Sequence, residues 1–173
     1  GEGLMTKIIA ILGGIASGKS TVVDRLKYKG AVAIHADNIN KEEVLVLPEI
    51  YEQLRARWQI WPLYPAGDGF QSASKFGGSL PIRIRGELQY QNIAQIIFNN
   101  PEELEFVQVI TRPFVVKRIL NLVDIYNNRY HKVIVIDAPM LLELNLPLSP
   151  DIYFVDCPDA IRMRRYIDRC YEN

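Results

Sequence analysis

The isoleucine-rich apolar run from Lys7 to Leu12 stops at the paired glycines Gly13 and Gly14, and Ile15, Ala16 and Ser17 then lead to Gly18-Lys19-Ser20-Thr21. Such a run has the pattern of a strand buried on both faces. A helix is expected from Lys19 to about Lys27, so the glycines connect a strand to a helix. Gly13 to Ser20 matches Gly-x-x-x-x-Gly-Lys-Ser/Thr in the context that motif requires. Glycine lets successive N–H groups face one centre, and the N-terminus of the helix adds a potential favourable to anions. The stretch therefore reads as a cradle for phosphates, with Gly13, Gly14, Ile15, Ala16, Ser17, Gly18, Lys19, Ser20 and Thr21 as the nucleotide-binding set. Lys19 supplies charge for the β- and γ-phosphates, and the Ser20 hydroxyl is placed to ligate Mg²⁺. The competing reading is an ordinary glycine turn with a chance lysine.

Twenty Lys and Arg balance twenty Asp and Glu in 173 residues, so any anion site must be local. Overall charge gives no reason to expect nucleic acid or a membrane surface as a partner. A 49% hydrophobic composition suits one globular domain with a real core, and the whole chain, 1–173, is read as a single domain. Gly1–Leu4, ahead of Met5, reads as an expression remnant. The two cysteines, Cys157 and Cys170, lack metal-ligand spacing and suit reduced thiols of the cytoplasm. No apolar run approaches the length of a membrane span.

After the first helix, Gly30 stands where a C-terminal cap belongs, and Ala31 to His35 reads as a second strand. Asn40 and Glu43 suggest a capping box for a helix running toward Leu47, with a restart after Pro48. Trp61 to Gly86, rich in glycine, proline and serine, reads as a loop excursion. Glu87 to Phe98 has helical spacing, Asn100-Pro101 opens another helix, and Pro113 is expected to open a further one reaching about Tyr126. "KVIVIDAP" and "DIYFVD" read as strands, and Pro158 begins a last helix ending near Tyr171. Alternating strands and helices predict an α/β fold whose mostly parallel sheet carries helices on both faces, with ligands beyond the carboxyl ends of the strands.

Asp37 follows the second strand, so its carboxylate falls on the same rim as the glycine loop. There it could take the proton of an acceptor hydroxyl, or only cap the next helix. His35 reads as a core or rim histidine. Asp137 ends the strand Val133 to Ile136, as an acid able to hold Mg²⁺ directly or through water, or as a turn former. Glu143 is open between a substrate contact and a solvated residue. Arg162, Arg165 and Arg169 share one helical face, which suits either a lid over transferring phosphate or a solvated basic face. A GTPase would normally carry Asn-Lys-x-Asp; "NKEE" at Asn40 lacks the final Asp, and that class recedes.

The segments "AILGGIASGKSTV", "IHADNI", "GELQYQNIAQIIFNNPEE", "RPFV", "VIDAPMLLELNL" and "VDCPDAIRMRRYIDR" come in the order found in dephospho-coenzyme A kinases, which the chain resembles apart from Leu45 to Pro81. "APMLLE" is the most specific of them. The resemblance implies a three-layer P-loop kinase fold with a helical acceptor-binding segment at 87–131 and a lid beginning at 158–173. It implies ATP-dependent phosphorylation of the ribose 3′-hydroxyl of dephospho-coenzyme A in the cytoplasm, with Mg²⁺. On it Asp37 becomes the base, Arg165 a catalytic and Arg169 an ATP-binding lid arginine. Arg112, Pro139, Leu141, Leu142 and Glu143 join Asp37 in lining the acceptor pocket.

Departures from the family pattern are local. Arg112-Pro113 replaces a usual His-Pro, Tyr90 replaces an arginine, and Arg162 replaces a glutamine. The excursion at 61–86 is longer than the family needs, and the family continues past its lid arginines with more lid, a strand and a closing helix. Two other readings stay open: another small-molecule or nucleoside monophosphate kinase, and a weakened nucleotide-binding domain.

Overall fold

The structure, a computed structural model, describes residues 6–14, 16–58, 61–62, 72–73, 83–84, 87–88, 90–98, 100–129, 131–139 and 144–171. The chain runs β1 (Lys7–Gly13), α1 (Lys19–Tyr28), β2 (Val32–His35), α2 (Ala36–Asn38), a π-helical turn (Ile39–Val44) and α3 (Pro48–Trp58). Four two-residue strands follow, β3 (Trp61–Pro62), β4 (Ser72–Ala73), β5 (Arg83–Ile84) and β6 (Glu87–Leu88). Then come α4 (Tyr90–Phe98), α5 (Pro101–Asn128), β7 (Val133–Asp137), β8 (Asp151–Val155) and α6 (Asp159–Tyr171). Two compact units result, Gly1–Asp37 with Val116–Asn173, and Asn38–Val115.

In the first unit the isoleucine- and valine-rich runs form a four-stranded, wholly parallel sheet in the order β2-β7-β1-β8. Parallel strands need crossovers, and α1 supplies the one from β1 to β2, lying against β1, β2 and β7. Alternation divides the sheet residues between its faces. Ile11 and Val135 are buried with Val23 of α1, and Val22, Leu26 and Val133 pack around them. The opposite face carries Ala10, Ile34, Ile134 and Ile136, all buried. The expected α/β fold with a parallel sheet is the fold adopted. β8, the edge strand, leaves Ile152, Tyr153 and Phe154 exposed. Gly30 ends α1 as expected: its φ is +97°, its N–H bonds Lys27 O, and Ala31 N–H bonds Leu26 O, a Schellman arrangement.

In the second unit Ile50, Leu54 and Trp58 recur every fourth residue along α3 and are fully buried. Buried Glu103 of α5 accepts a hydrogen bond from Trp58 Nε1 at 2.8 Å, and the Arg57 guanidinium reaches both of its oxygens at 3.2 Å. Three sequence expectations change. Asn40 does not cap a helix, because helical backbone has already begun at Ala36 and Ile39–Val44 winds as a π-helix. The segment expected to be helical from Glu87 begins at Tyr90, since Glu87–Leu88 pairs antiparallel with Arg83–Ile84. Pro113 does not open a new helix; α5 passes through it. Glu103, Val107, Thr111, Val115, Ile119 and Val123 form one buried stripe across that position. Pro113 removes one N–H from the helix ladder, and Val109, the residue four before it, lies on the exposed side at 54%.

Candidate active site

Strand register brings the chemistry to one rim. Ile11 of β1 stands beside Asp137 of β7, His35 of β2 stands on the other side of Asp137, and Gly13 faces Val155 of β8. These are the carboxyl ends of the strands, where open parallel sheets bind their ligands.

The glycine loop leaves β1 at this rim and is bent by two left-handed residues, Ala16 at φ +60° and Gly18 at φ +97°. Left-handed backbone turns consecutive N–H groups toward a common centre, the geometry of an anion nest. Ala16 adopts it at some steric cost and is buried, as expected of backbone held by its surroundings at a functional loop. Gly13 is needed for close approach: a Cβ there would lie 2.6 Å from Ser17 Oγ and 2.8 Å from Val155 O. Ser20 and Thr21 occupy the first turn of α1.

Lys19, the first residue of α1, reaches Asp137, with its Nζ 2.6 Å from Oδ1. The other oxygen, Oδ2, lies 2.9 Å from His35 Nδ1. Asp37 follows two residues after His35, in the short helix α2. Desolvation raises its carboxyl above the ordinary carboxylate range; Lys19 opposes that rise, Asp137 adds to it and His35 opposes it. One lysine, one acid shared between Lys19 and His35, and one carboxylate of raised proton affinity thus occupy a single rim.

From α6, Arg165 Nη1 lies 3.4 Å from Ala16 O and 3.5 Å from the place of a Cβ on Gly18. Arg162 Nη2 lies 2.8 Å from the place of a Cβ on Gly14, and Nη1 of the same residue pairs with Asp159 at 3.2 Å. Two guanidinium groups therefore rest against the glycine loop.

Residues 7–172 match a family model described as dephospho-CoA kinase. The chain belongs to the dephospho-CoA kinase family. A dephospho-CoA kinase of Moorella thermoacetica is 30% identical over 164 residues, 94% of this chain and 68% of the relative. Two solved structures share the fold. TT1252 from Thermus thermophilus has a TM-score of 0.64 at 22% identity, with 95% of this chain and 72% of that one covered. A dephospho-CoA kinase from Campylobacter jejuni has a TM-score of 0.57 at 18% identity, covering 96% and 83%. The family resemblance drawn from the sequence motifs is the family to which the chain belongs.

Among the residues singled out from sequence, the structure brings together Gly13, Gly14, Ala16, Ser17, Gly18, Lys19, Asp37, Asp137 and Arg165. Pro139 is exposed just beyond β7. Arg112 belongs to α5 in the other compact unit. Ile15, Leu141, Leu142 and Glu143 lie outside the described residues, as does the side chain of Arg169. Two contacts escape the motif reading: His35 on Asp137 and Arg162 on the loop. The strand placed His35 at the rim, and helical spacing put Arg162 on the face of Arg165. Neither signal names the atom that each side chain meets.

No helix among the described residues is long and apolar enough to cross a membrane. Nor do the described residues contain a group of three His, Cys, Asp or Glu able to hold a metal by themselves. Mg²⁺ makes a different demand, since it commonly takes one or two protein oxygens and completes its shell with waters and substrate phosphates. Ser20 and Asp137, a hydroxyl and a carboxylate beside an anion nest, fit that donor chemistry.

Proposed function

We propose that the chain transfers the γ-phosphoryl group of ATP to the ribose 3′-hydroxyl of dephospho-CoA, giving ADP and coenzyme A in the last step of coenzyme A synthesis. The observation that carries this reading is the meeting of Lys19, Asp137 and Asp37 at the phosphate-loop rim of a chain belonging to this family. The bond formed joins the 3′-oxygen to the γ-phosphorus, the bond broken joins that phosphorus to the β,γ-bridging oxygen, and the hydroxyl proton passes to the Asp37 carboxylate. A base of raised proton affinity suits that task, because it holds the transferred proton better.

The loop from Gly13 to Thr21 cradles the phosphates through its N–H groups, and Lys19 exchanges Asp137 for phosphate oxygens. Arg165 adds charge where the transferring group becomes most negative, and Arg169 contributes to ATP binding from the same helix. Ser20 and Asp137 would hold Mg²⁺, which when bound supplies charge neutralisation across the β- and γ-phosphates. Acceptor binding is assigned to Arg112, Pro139, Leu141, Leu142 and Glu143 with Asp37, the helical segment 87–131 contributing, and residues 1–173 are read as a single kinase domain. The setting is the cytoplasm, with no nucleic acid or membrane as partner.

The test measures ADP release with dephospho-CoA, with a panel of nucleoside monophosphates and with no acceptor. Release only with dephospho-CoA is expected. Faster release with a nucleoside monophosphate would assign the scaffold to another kinase, and no release with any acceptor would leave only nucleotide binding.

A further inference from the structure

Asp137 divides its two carboxylate oxygens between two partners: Oδ1 faces Lys19 Nζ at 2.6 Å, and Oδ2 faces His35 Nδ1 at 2.9 Å. A carboxylate oxygen is the acceptor in such a contact, so the tautomer that makes it carries N–H at Nδ1 and donates a hydrogen bond to Oδ2. The backbone fixes this meeting. His35 is the last residue of β2, and the parallel ladder sets it directly beside Asp137 on β7, so neither Cα can move without breaking sheet hydrogen bonds. Asp137 is mostly buried, with a side chain 15% exposed, so water is a poor substitute for a lost donor.

The geometry points to His35 as a positioning residue for phosphoryl transfer. By holding Oδ2, its ring fixes the plane of the Asp137 carboxylate and leaves Oδ1 turned toward Lys19 and the glycine loop. The free carboxylate is a terminal group on a sparsely restricted torsion, which a single hydrogen bond at one oxygen is enough to orient. His35 touches neither phosphate nor acceptor in this role; it acts through Asp137. Hydrogen bonds that orient a metal-binding carboxylate typically account for 10- to 100-fold in metal affinity or activity. This inference rests on the proposed kinase reading, in which Asp137 is a Mg²⁺ ligand.

Two variants separate the donor from the ring. His35→Phe keeps a ring and removes the donor, whereas His35→Asn places an amide N–H near the position of Nδ1. ATP binding is measured by isothermal titration across a series of Mg²⁺ concentrations and again with the metal chelated, beside kcat and KM for coenzyme A formation and the melting temperature. For His35→Phe the half-saturating Mg²⁺ concentration is expected to rise about 10-fold or more and kcat to fall by a similar factor. Metal-free ATP binding, KM for dephospho-CoA and the melting temperature should change little. His35→Asn should recover most of the loss. If His35→Phe does not fold, His35→Ala at the end of the strand makes the same comparison.

A donorless variant with the Mg²⁺ dependence and kcat of the parent would overturn the role of His35 alone, as would a folded His35→Asn as impaired as His35→Phe. A parent chain whose ATP binding is indifferent to Mg²⁺ and which forms no coenzyme A would overturn both this role and the kinase reading.

Discussion

Asp37 meets opposing demands that its neighbours settle. Burial and Asp137 push its carboxyl up, Lys19 and His35 push it down, and burial prevails. The base must be ionised to act, so kcat/KM should rise with pH through a proton dissociation lying above the ordinary carboxylate value of about 3.9. A pH-rate profile checks this, and an acidic limb at or below the ordinary value would contradict it. The stability effect has the opposite sign. An acid whose folded pKa is raised binds more protons folded than unfolded, so its contribution favours folding below the window between the two values and is lost as pH rises through it. Asp37→Asn should therefore leave the melting temperature near pH 7 unchanged or slightly higher, while coenzyme A formation falls by about 10²-fold or more. Loss of stability with full activity per folded molecule would reduce Asp37 to a structural residue. Its place at the rim was legible because it follows β2. The chain, however, enters helical backbone at Ala36, so strand alternation does not carry on to Asp37.

At the scale of elements, the β1–loop–α1 unit was legible almost residue by residue, because a buried strand, a glycine turn and a capped helix each leave a local signature. The left-handed Ala16 was not, since alanine has no preference for that backbone and the surrounding loop imposes it. Two glycines with different tasks give a paired test. Gly13→Ala should cost about 1–3 kcal/mol by overpacking and weaken ATP binding, because its Cβ would press on a backbone oxygen of β8 and on the loop. Gly30→Ala has open space but a positive φ, so it should cost about 1–2 kcal/mol of stability and leave activity per folded molecule intact. Thermal unfolding and ATP titration of both distinguish the two, and equal effects on ATP binding would refute the assignment of Gly13. The path of α5 through Pro113 was not legible either. A proline signals a helix start locally, and only the buried stripe from Glu103 to Val123 overrides it. Pro113→Ala should therefore stabilise the chain, by up to about 3 kcal/mol, read as a higher melting temperature; a lower one would mean that the proline is required where it stands.

For the whole molecule, zero net charge in the sequence directs attention to a local anion site, and the rim proposed for it gathers Lys19, Arg162 and Arg165 beside the glycine loop. Most of the proposed donor side could be read from sequence because Gly13 to Thr21 is one contiguous stretch. The acceptor side could not be read so fully: its assigned residues are scattered from Asp37 to Glu143, and the helices between are fixed by long-range packing such as Trp58 on Glu103. If this rim moves one phosphoryl group onto one hydroxyl, phosphorus NMR of the product formed from ATP and dephospho-CoA should show ADP and a new phosphomonoester on the ribose 3′-oxygen in equal amounts, both abolished by Lys19→Ala in a protein that still folds. ADP accompanied by free inorganic phosphate, or a phosphomonoester at any other oxygen, would contradict it.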